Sequence, residues 1–297
     1  MRDLLADYIR DVQLRGQAAV TVEKKTSSAR AWLTWCSTHN VSPEHPGKDD
    51  FLLYLQDCRG RGLKSASLRK IFAVLASFYD FLEEDGQATR DVRNIQKRYL
   101  RGYKPDSESR QIISVPEAAH LVAATLSTRD HAILLLLLKT GVRLHELTDL
   151  DVSDVDLDKM TVRLKATGKR SNLLLFIDDE CAESLRRWLR VRKNNGGPAL
   201  FLSNWNKRIS GDAVRVLVVK AAMRVGLHDP DGRLDERFGA HCCRHWFTTQ
   251  LYRAGMSREH IMWLRGDSPM SAFDGYNHID IEDVRRSYLA HIPQLGI

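Results

Sequence analysis

What this sequence lacks narrows its class before any motif is read. Only five of its 297 residues are cysteine (Cys36, Cys58, Cys181, Cys242 and Cys243), an odd number, scattered and without a C-x-x-C pair. A secreted disulfide scaffold is therefore excluded, and a reducing compartment is expected. Long hydrophobic runs are also missing: the longest, Ala132 to Leu138, falls far short of the ~20 residues that span a bilayer. Met1 leads into charged Arg2 and Asp3 and then an amphipathic pattern, not a signal-peptide core. A soluble, cytoplasmic protein without membrane partners is expected. Neither an internal repeat nor a low-complexity tract appears, and Gly (18) and Pro (8) are modest, which excludes fibrous and disordered classes. Charge of one sign dominates only weakly. Forty-five Lys and Arg against 38 Asp and Glu leave a formal +7. Such an excess raises a polyanionic partner, and only the placement of the charges decides it.

What is present, 43% apolar and 28% charged residues, suits about two domains on the usual prior of ~150 residues each. Residues 1–95 read as a small helical domain. Leu4, Leu5, Tyr8, Ile9 and Val12 recur at helical spacing, and Thr21 can cap a second helix with Ala29, Leu33 and Cys36 turned inward. Phe51, Leu52 and Leu55 mark a third. Ser65 to Glu83 carries the clearest stripe, Leu68, Ile71, Phe72, Leu75, Phe78, Tyr79 and Leu82, which Asp85-Gly86 ends. Four helices and no strand are predicted there. In residues 96–113 the basic residues Lys97, Arg98, Arg101 and Lys104 interleave with Tyr99 and Tyr103, and Gly102 and Pro105 deny a continuous helix. This reads as a domain linker, either a solvated tether or a strap on phosphates.

Residues 114–297 read as a second domain. Ser114 caps a helix with Pro116 in its first turn. Asp130 to Thr140 is apolar nearly all round and belongs at the centre of a core that Gly141 delimits. Lys159 to Lys165 alternates apolar and polar residues, Ala166 to Lys169 turns, and Asn172 to Ile177 returns, a hairpin with a basic tip. The acidic run Asp149 to Asp158 before it reads as a polar turn. Helices resume around residues 180–193, 211–225, 240–253 and 257–264, and Val284 to Ile297 forms an amphipathic tail with an apolar end. The fold class expected is mainly α with a small antiparallel β-sheet (α+β).

Three segments hold Arg, His and Tyr where structure alone does not ask for them. In Thr140-Gly141-Val142-Arg143-Leu144-His145-Glu146, Arg143 follows the glycine that ends a buried helix, and its guanidinium fork suits two oxygens of one phosphate. Glu146, one turn on, is placed to hold that fork; a plain surface pair is the other reading. In His241-Cys242-Cys243-Arg244-His245, His241 and Arg244 share a helix face, a titratable donor beside a permanent cation. A metal is the competing reading, although adjacent cysteines on a helix diverge by ~100°. In Leu264-Arg265-Gly266-Asp267-Ser268 and Gly275-Tyr276-Asn277-His278, Tyr276 follows a glycine in a polar stretch, as an interface residue or as a nucleophile.

Taken in order, these segments resemble the tyrosine recombinase (phage integrase) family across residues 114–297. The resemblance maps the family's arginine of the first box to Arg143 in TGVRLHEL, its His-x-x-Arg to His241 and Arg244, and its nucleophile to Tyr276 in GYNHI. The hairpin lysine falls on Lys165 or Lys169, with Lys165 favoured by its place at the strand end. Asp267 stands where the family usually has His or Trp, so a role in orienting Arg244, His241 or a backbone amide is expected of it. The LRGD run and the tail from Tyr288 to Pro293 are similar to archaeal integrases of the Xer-like group.

The resemblance implies site-specific DNA cutting and rejoining through a 3′-phosphotyrosyl intermediate, with neither metal nor ATP as cofactor. Arg143 and Arg244 would clamp the phosphate, the hairpin lysine would protonate the leaving 5′-oxygen, and His241 would assist proton transfer. DNA contacts are expected from Lys97, Arg98, Arg101, Lys104, Lys169 and Arg170. The partners implied are duplex DNA carrying inverted-repeat arms and further copies of the chain, four on two sites, in a nucleoid-associated setting. A metal-dependent nuclease, a type IB topoisomerase and a catalytically impaired DNA-binding regulator are the alternatives.

Overall fold

The computed structural model describes residues 3–82, 86–100, 111–166, 170–192, 197–267 and 279–297. The chain divides into two compact units, Met1–Ser107 and Glu108–Ile297.

The first unit holds α1 (Leu4–Leu14), α2 (Ala19–Thr38), α3 (Lys48–Gly60), α4 (Ser65–Leu82) and α5 (Gln87–Tyr99). Its core is aromatic. Trp32 stacks on Trp35 and Phe51 and meets Tyr54 edge-on. Two of the polar handles are satisfied in series: Trp32 Nε1 donates to Tyr79 Oη at 2.7 Å, and that hydroxyl donates to the Pro43 carbonyl at 3.0 Å. α5 is the helix that sequence reasoning does not foresee. Only Ala88, Thr89, Val92 and Ile95 are buried on it, and its basic last turn reads as the start of a linker. Lys97 and Arg98 therefore sit on a helix, with Leu100 buried just beyond.

The second unit begins with α6 (Val115–Ala123). Ser114 Oγ accepts from the Glu117 amide at 3.3 Å while Glu117 accepts from the Ser114 amide at 2.7 Å, a reciprocal capping box. α7 (Thr128–Thr140) is buried at every position from Ala132 to Thr140. Each of its leucines stabilises the fold by about 1.5–3 kcal/mol on burial. α8 (Leu144–Asp149) leads to an antiparallel sheet ordered β1 (Val155–Asp156), β2 (Thr161–Arg163), β3 (Leu174–Phe176). β1 was expected as turn; a two-residue strand inside an acidic run has no periodicity to betray it. α9 (Asp179–Val191), α10 (Gly211–Arg224), α11 (Ala240–Arg253), α12 (Arg258–Arg265) and α13 (Ile281–His291) complete the unit, with α9 and α11 packed on α7.

The residues after α13 dock back on their own unit, with Ile292 and Leu295 buried. Lys139 is the anchor. Fully buried at the end of α7, its ammonium donates to Asp178 at 2.5 Å, Glu180 at 2.5 Å and the Pro293 carbonyl at 2.6 Å. Glu180 in turn accepts from the Leu295 and Gly296 amides. A buried ammonium is tolerated because all three of its donors are used. Burial pushes Glu180 up, yet its bond to Lys139 and those backbone amides outweigh this and hold its carboxyl below the usual range.

Candidate active site

The site is built where α7 ends. Gly141 closes that helix at φ 58, in the left-handed region, and a Cβ there would lie 2.5 Å from the Phe247 ring. The glycine thus serves both the turn and the close approach of α11. Two residues on, Arg143 caps α8. Its amide donates to Glu146 Oε2 at 2.8 Å and its guanidinium to Glu146 Oε1 at 3.1 Å. Glu146 is only 2% exposed and serves a second arginine, since Arg170 Nη1 donates to it at 3.0 Å. Burial raises its proton affinity, but the charge of Arg170 and the bonds from Arg143 prevail, so the carboxyl is held below its ordinary value.

α11 presents His241 and Arg244 one turn apart on the face toward this cap. His241 is exposed and meets the His245 ring edge-on at 4.8 Å. Arg244 is buried, and Phe247 and Leu251 anchor the neighbouring face in the core. The Arg244 guanidinium donates to the Gly141 carbonyl at 2.7 Å, the Arg265 carbonyl at 2.9 Å and Asp267 Oδ1 at 3.4 Å. Burial first, and then the charges of Arg143, Arg265 and Arg170, lower its pKa to about 10 against the opposing pull of Asp267. Asp267 Oδ1 lies 3.7 Å from Arg143 Nη2, and Asp267 Oδ2 lies 2.8 Å from Arg265 Nε. Arg143, His241 and Arg244, three of the residues picked out in sequence, line one concavity of about 530 Å³ with His145, His228 and Arg237.

The other predicted residues fall elsewhere. Lys165 is exposed at the end of β2, and its ammonium is 2.6 Å from Asp151, a carboxylate shared with Arg208. Those two hydrogen bonds hold Asp151 below the usual range. Arg170, expected to face DNA, is 1% exposed. Its guanidinium binds Glu146 and the carbonyls of Asn172 and Leu264. Here a basic hairpin residue works as an internal brace. Ser171 Oγ donates to the Asp267 carbonyl at 2.8 Å and Asn172 Nδ2 to the Trp263 carbonyl at 3.2 Å. The chain entering β3 is thereby stitched to the end of α12. Tyr276, Lys169, Arg101 and Lys104 lie outside the described residues.

Cys242 and Cys243 turn into the core while His241 and His245 face out, so the four do not converge on a metal. Among the described residues, no three His, Cys, Asp or Glu side chains are grouped to hold one. No helix among them is long and apolar enough to cross a membrane. Arg265 is the site residue that sequence reasoning missed. A lone arginine in the last turn of a helix reads as a charge complementing the helix dipole.

The sequence model of the phage integrase family matches residues 105–282, more than half of the chain. The chain belongs to the phage integrase family. Relatives of the chain include Xer tyrosine recombinases. Tyrosine recombinase XerC of Bacillus pumilus is 24% identical over 94% of this chain and 92% of the relative. Tyrosine recombinase XerD of Bifidobacterium longum is 26% identical over 94% of this chain and 93% of its own. Among solved structures, the Tn1549 transposon integrase in complex with transposon right end DNA superimposes with a TM-score of 0.71 at 14% identity, covering 95% of this chain and 97% of that one. A lambda integrase dimer bound to a COC′ core site gives 0.67 at 18% identity, covering 94% of this integrase-family chain and 79% of the other. These likenesses agree with the mainly helical fold and its three-stranded sheet.

Proposed function

We propose that this integrase-family chain cuts and rejoins duplex DNA at a specific site through a 3′-phosphotyrosyl intermediate. The observation that carries the reading is the convergence of Arg143 and Arg244 on Asp267, with His241 in the same concavity. Two forks that close on a carboxylate also suit the two non-bridging oxygens of a phosphodiester. Tyr276 attacks the phosphorus, its phenolic proton passes to His241 or to water, and the bond to the 5′-oxygen breaks. Arg143 and Arg244 stabilise the charge gathering on the non-bridging oxygens, and their placement beforehand is what makes that stabilisation effective. Lys165, or Lys169 on the same hairpin, delivers a proton to the departing 5′-oxygen, and His241 assists proton transfer. The 5′-hydroxyl of a partner strand reverses the step, so no bond energy is lost and no cofactor is consumed.

DNA contacts from Lys97, Arg98, Arg101 and Lys104, four copies acting on two sites with inverted-repeat arms, and a cytoplasmic, nucleoid-associated setting belong to the same proposal. Asp267 also motivates a second reading, a DNA-binding regulator impaired in catalysis, because a carboxylate among the arginines repels phosphate. Incubation with nicked duplex DNA in EDTA separates the two. A covalent protein–DNA adduct that Tyr276→Phe abolishes is the expected result. DNA binding without an adduct on the chain's own target site favours the regulator.

A further inference from the structure

The site holds one more guanidinium than a two-arginine clamp uses. Arg143, from the cap of α8, and Arg244, from α11, approach Asp267 Oδ1 at 3.7 and 3.4 Å. Arg265, from the last turn of α12, approaches Oδ2 at 2.8 Å. Behind them lie Arg170 and Glu146. Four guanidiniums thus face two carboxylates, leaving a local excess of positive charge, and its outward parts are Arg143 and Arg265, 30% and 34% exposed. Asp267 does not saturate Arg265. The Nε proton of Arg265 is buried and, despite the short separation, points away from hydrogen-bond geometry. Among the described residues, the bond from Arg265 Nη1 to Thr248 Oγ1 is a long 3.5 Å. A buried donor left so is costly unless a ligand completes it.

We propose that Arg265 is a third phosphate-contacting arginine of this site, and that Asp267 is a positioning residue that keeps its guanidinium beside those of Arg143 and Arg244. This rests on the DNA-cleavage reading. The carboxylate has two oxygens shared among three forks, and a phosphodiester presents two non-bridging oxygens to the same forks. With DNA bound, Arg265 turns its remaining donors to the phosphate while Asp267 keeps the neighbouring charges from repelling one another.

The test uses the full chain and a fluorescent duplex, with affinity followed against salt. Each phosphate contact contributes about 0.9 to the slope of log affinity on log salt. Arg265→Ala is expected to lower the slope by that amount, so a fourfold rise in salt costs about threefold less affinity than in the unaltered chain. Arg265→Lys is expected to restore the slope. Arg265→Gln repeats the measurement should the alanine variant fail to fold. In Asp267→Asn, removing Arg265 is expected to cost less than it does alone, the coupling that positioning requires. An unchanged slope in both neutral variants overturns the phosphate contact, and an undiminished Arg265 effect in Asp267→Asn overturns the positioning role. Adduct formation on nicked duplex, run in parallel, is expected to slow by about a hundredfold in Arg265→Ala. Absence of an adduct from the unaltered chain would defeat the cleavage reading, and the salt slope would still decide Arg265.

Discussion

Arg244 Nη1 donates to the carbonyl of Gly141 at 2.7 Å, joining two residues 103 positions apart. The bond ties the guanidinium most central to the site to the turn that ends the most deeply buried helix. Gly141→Ala strains that turn and drives a Cβ into the Phe247 ring. A left-handed alanine costs about 1–2 kcal/mol and the collision with Phe247 about as much again. Gly226→Ala, at φ 70 with nothing within 4 Å, should cost only the backbone share. Urea midpoints of the two variants check this. An equal loss in both would show that Phe247 gives way freely.

Lys139→Met leaves the buried Asp178 and the half-buried Glu180 without their cation and releases the Pro293 carbonyl. A loss of about 3–5 kcal/mol in stability is expected. Limited proteolysis should then cut after α13 sooner than in the unaltered chain. A tail as resistant as before would mean that the apolar contacts of Ile292 and Leu295 hold it unaided.

Glu146 is held below its ordinary pKa in the fold. Its contribution is therefore present above the unfolded value of about 4.3 and is lost as pH falls through the lower folded value. Stability measured from pH 6 down to about pH 3 should fall less steeply in Glu146→Gln, although that variant starts weaker because Arg170 keeps no buried counter-charge. Parallel pH profiles for the two chains would contradict the assignment.

Lys165→Ala should slow adduct formation on an ordinary nicked duplex and recover on one whose leaving 5′-oxygen is replaced by sulfur. A thiolate, with a pKa of about 8.5, leaves without the proton that an alkoxide needs. Arg244→Ala, which on the proposed mechanism removes charge stabilisation at the phosphate and leaves the leaving oxygen untouched, should show no such recovery. If Lys169→Ala is rescued and Lys165→Ala is unaffected, the acid is the other hairpin lysine.

Much of this molecule is legible in its residues, and the failures have two causes. α7 and α11 declare themselves through apolar density and their glycine boundaries, and the Ser114 box through adjacent residues. Arg143, His241 and Arg244 are readable because short motifs carry them, although the partners of Arg244 lie far along the chain. α5 hides because a helix with four buried residues and a basic end resembles a tether. Arg170 and Arg265 hide for the opposite reason. What decides their roles comes from beyond their own segment: Glu146 and Leu264 for one, Thr248 together with the nearby Asp267 for the other. A basic hairpin reads as solvent-facing until the carboxylate that buries it is located.

The bonds from Arg170, Ser171 and Asn172 to the end of α12 make a mechanical joint. They fasten β3 to the residues carrying Asp267, with Gly266 at φ 61 so close to Arg170 that any side chain there would strike its stem. A pull on the hairpin is consequently a pull on the carboxylate around which the arginines gather. Touch at one edge of the second unit is felt as a change of charge spacing at its centre.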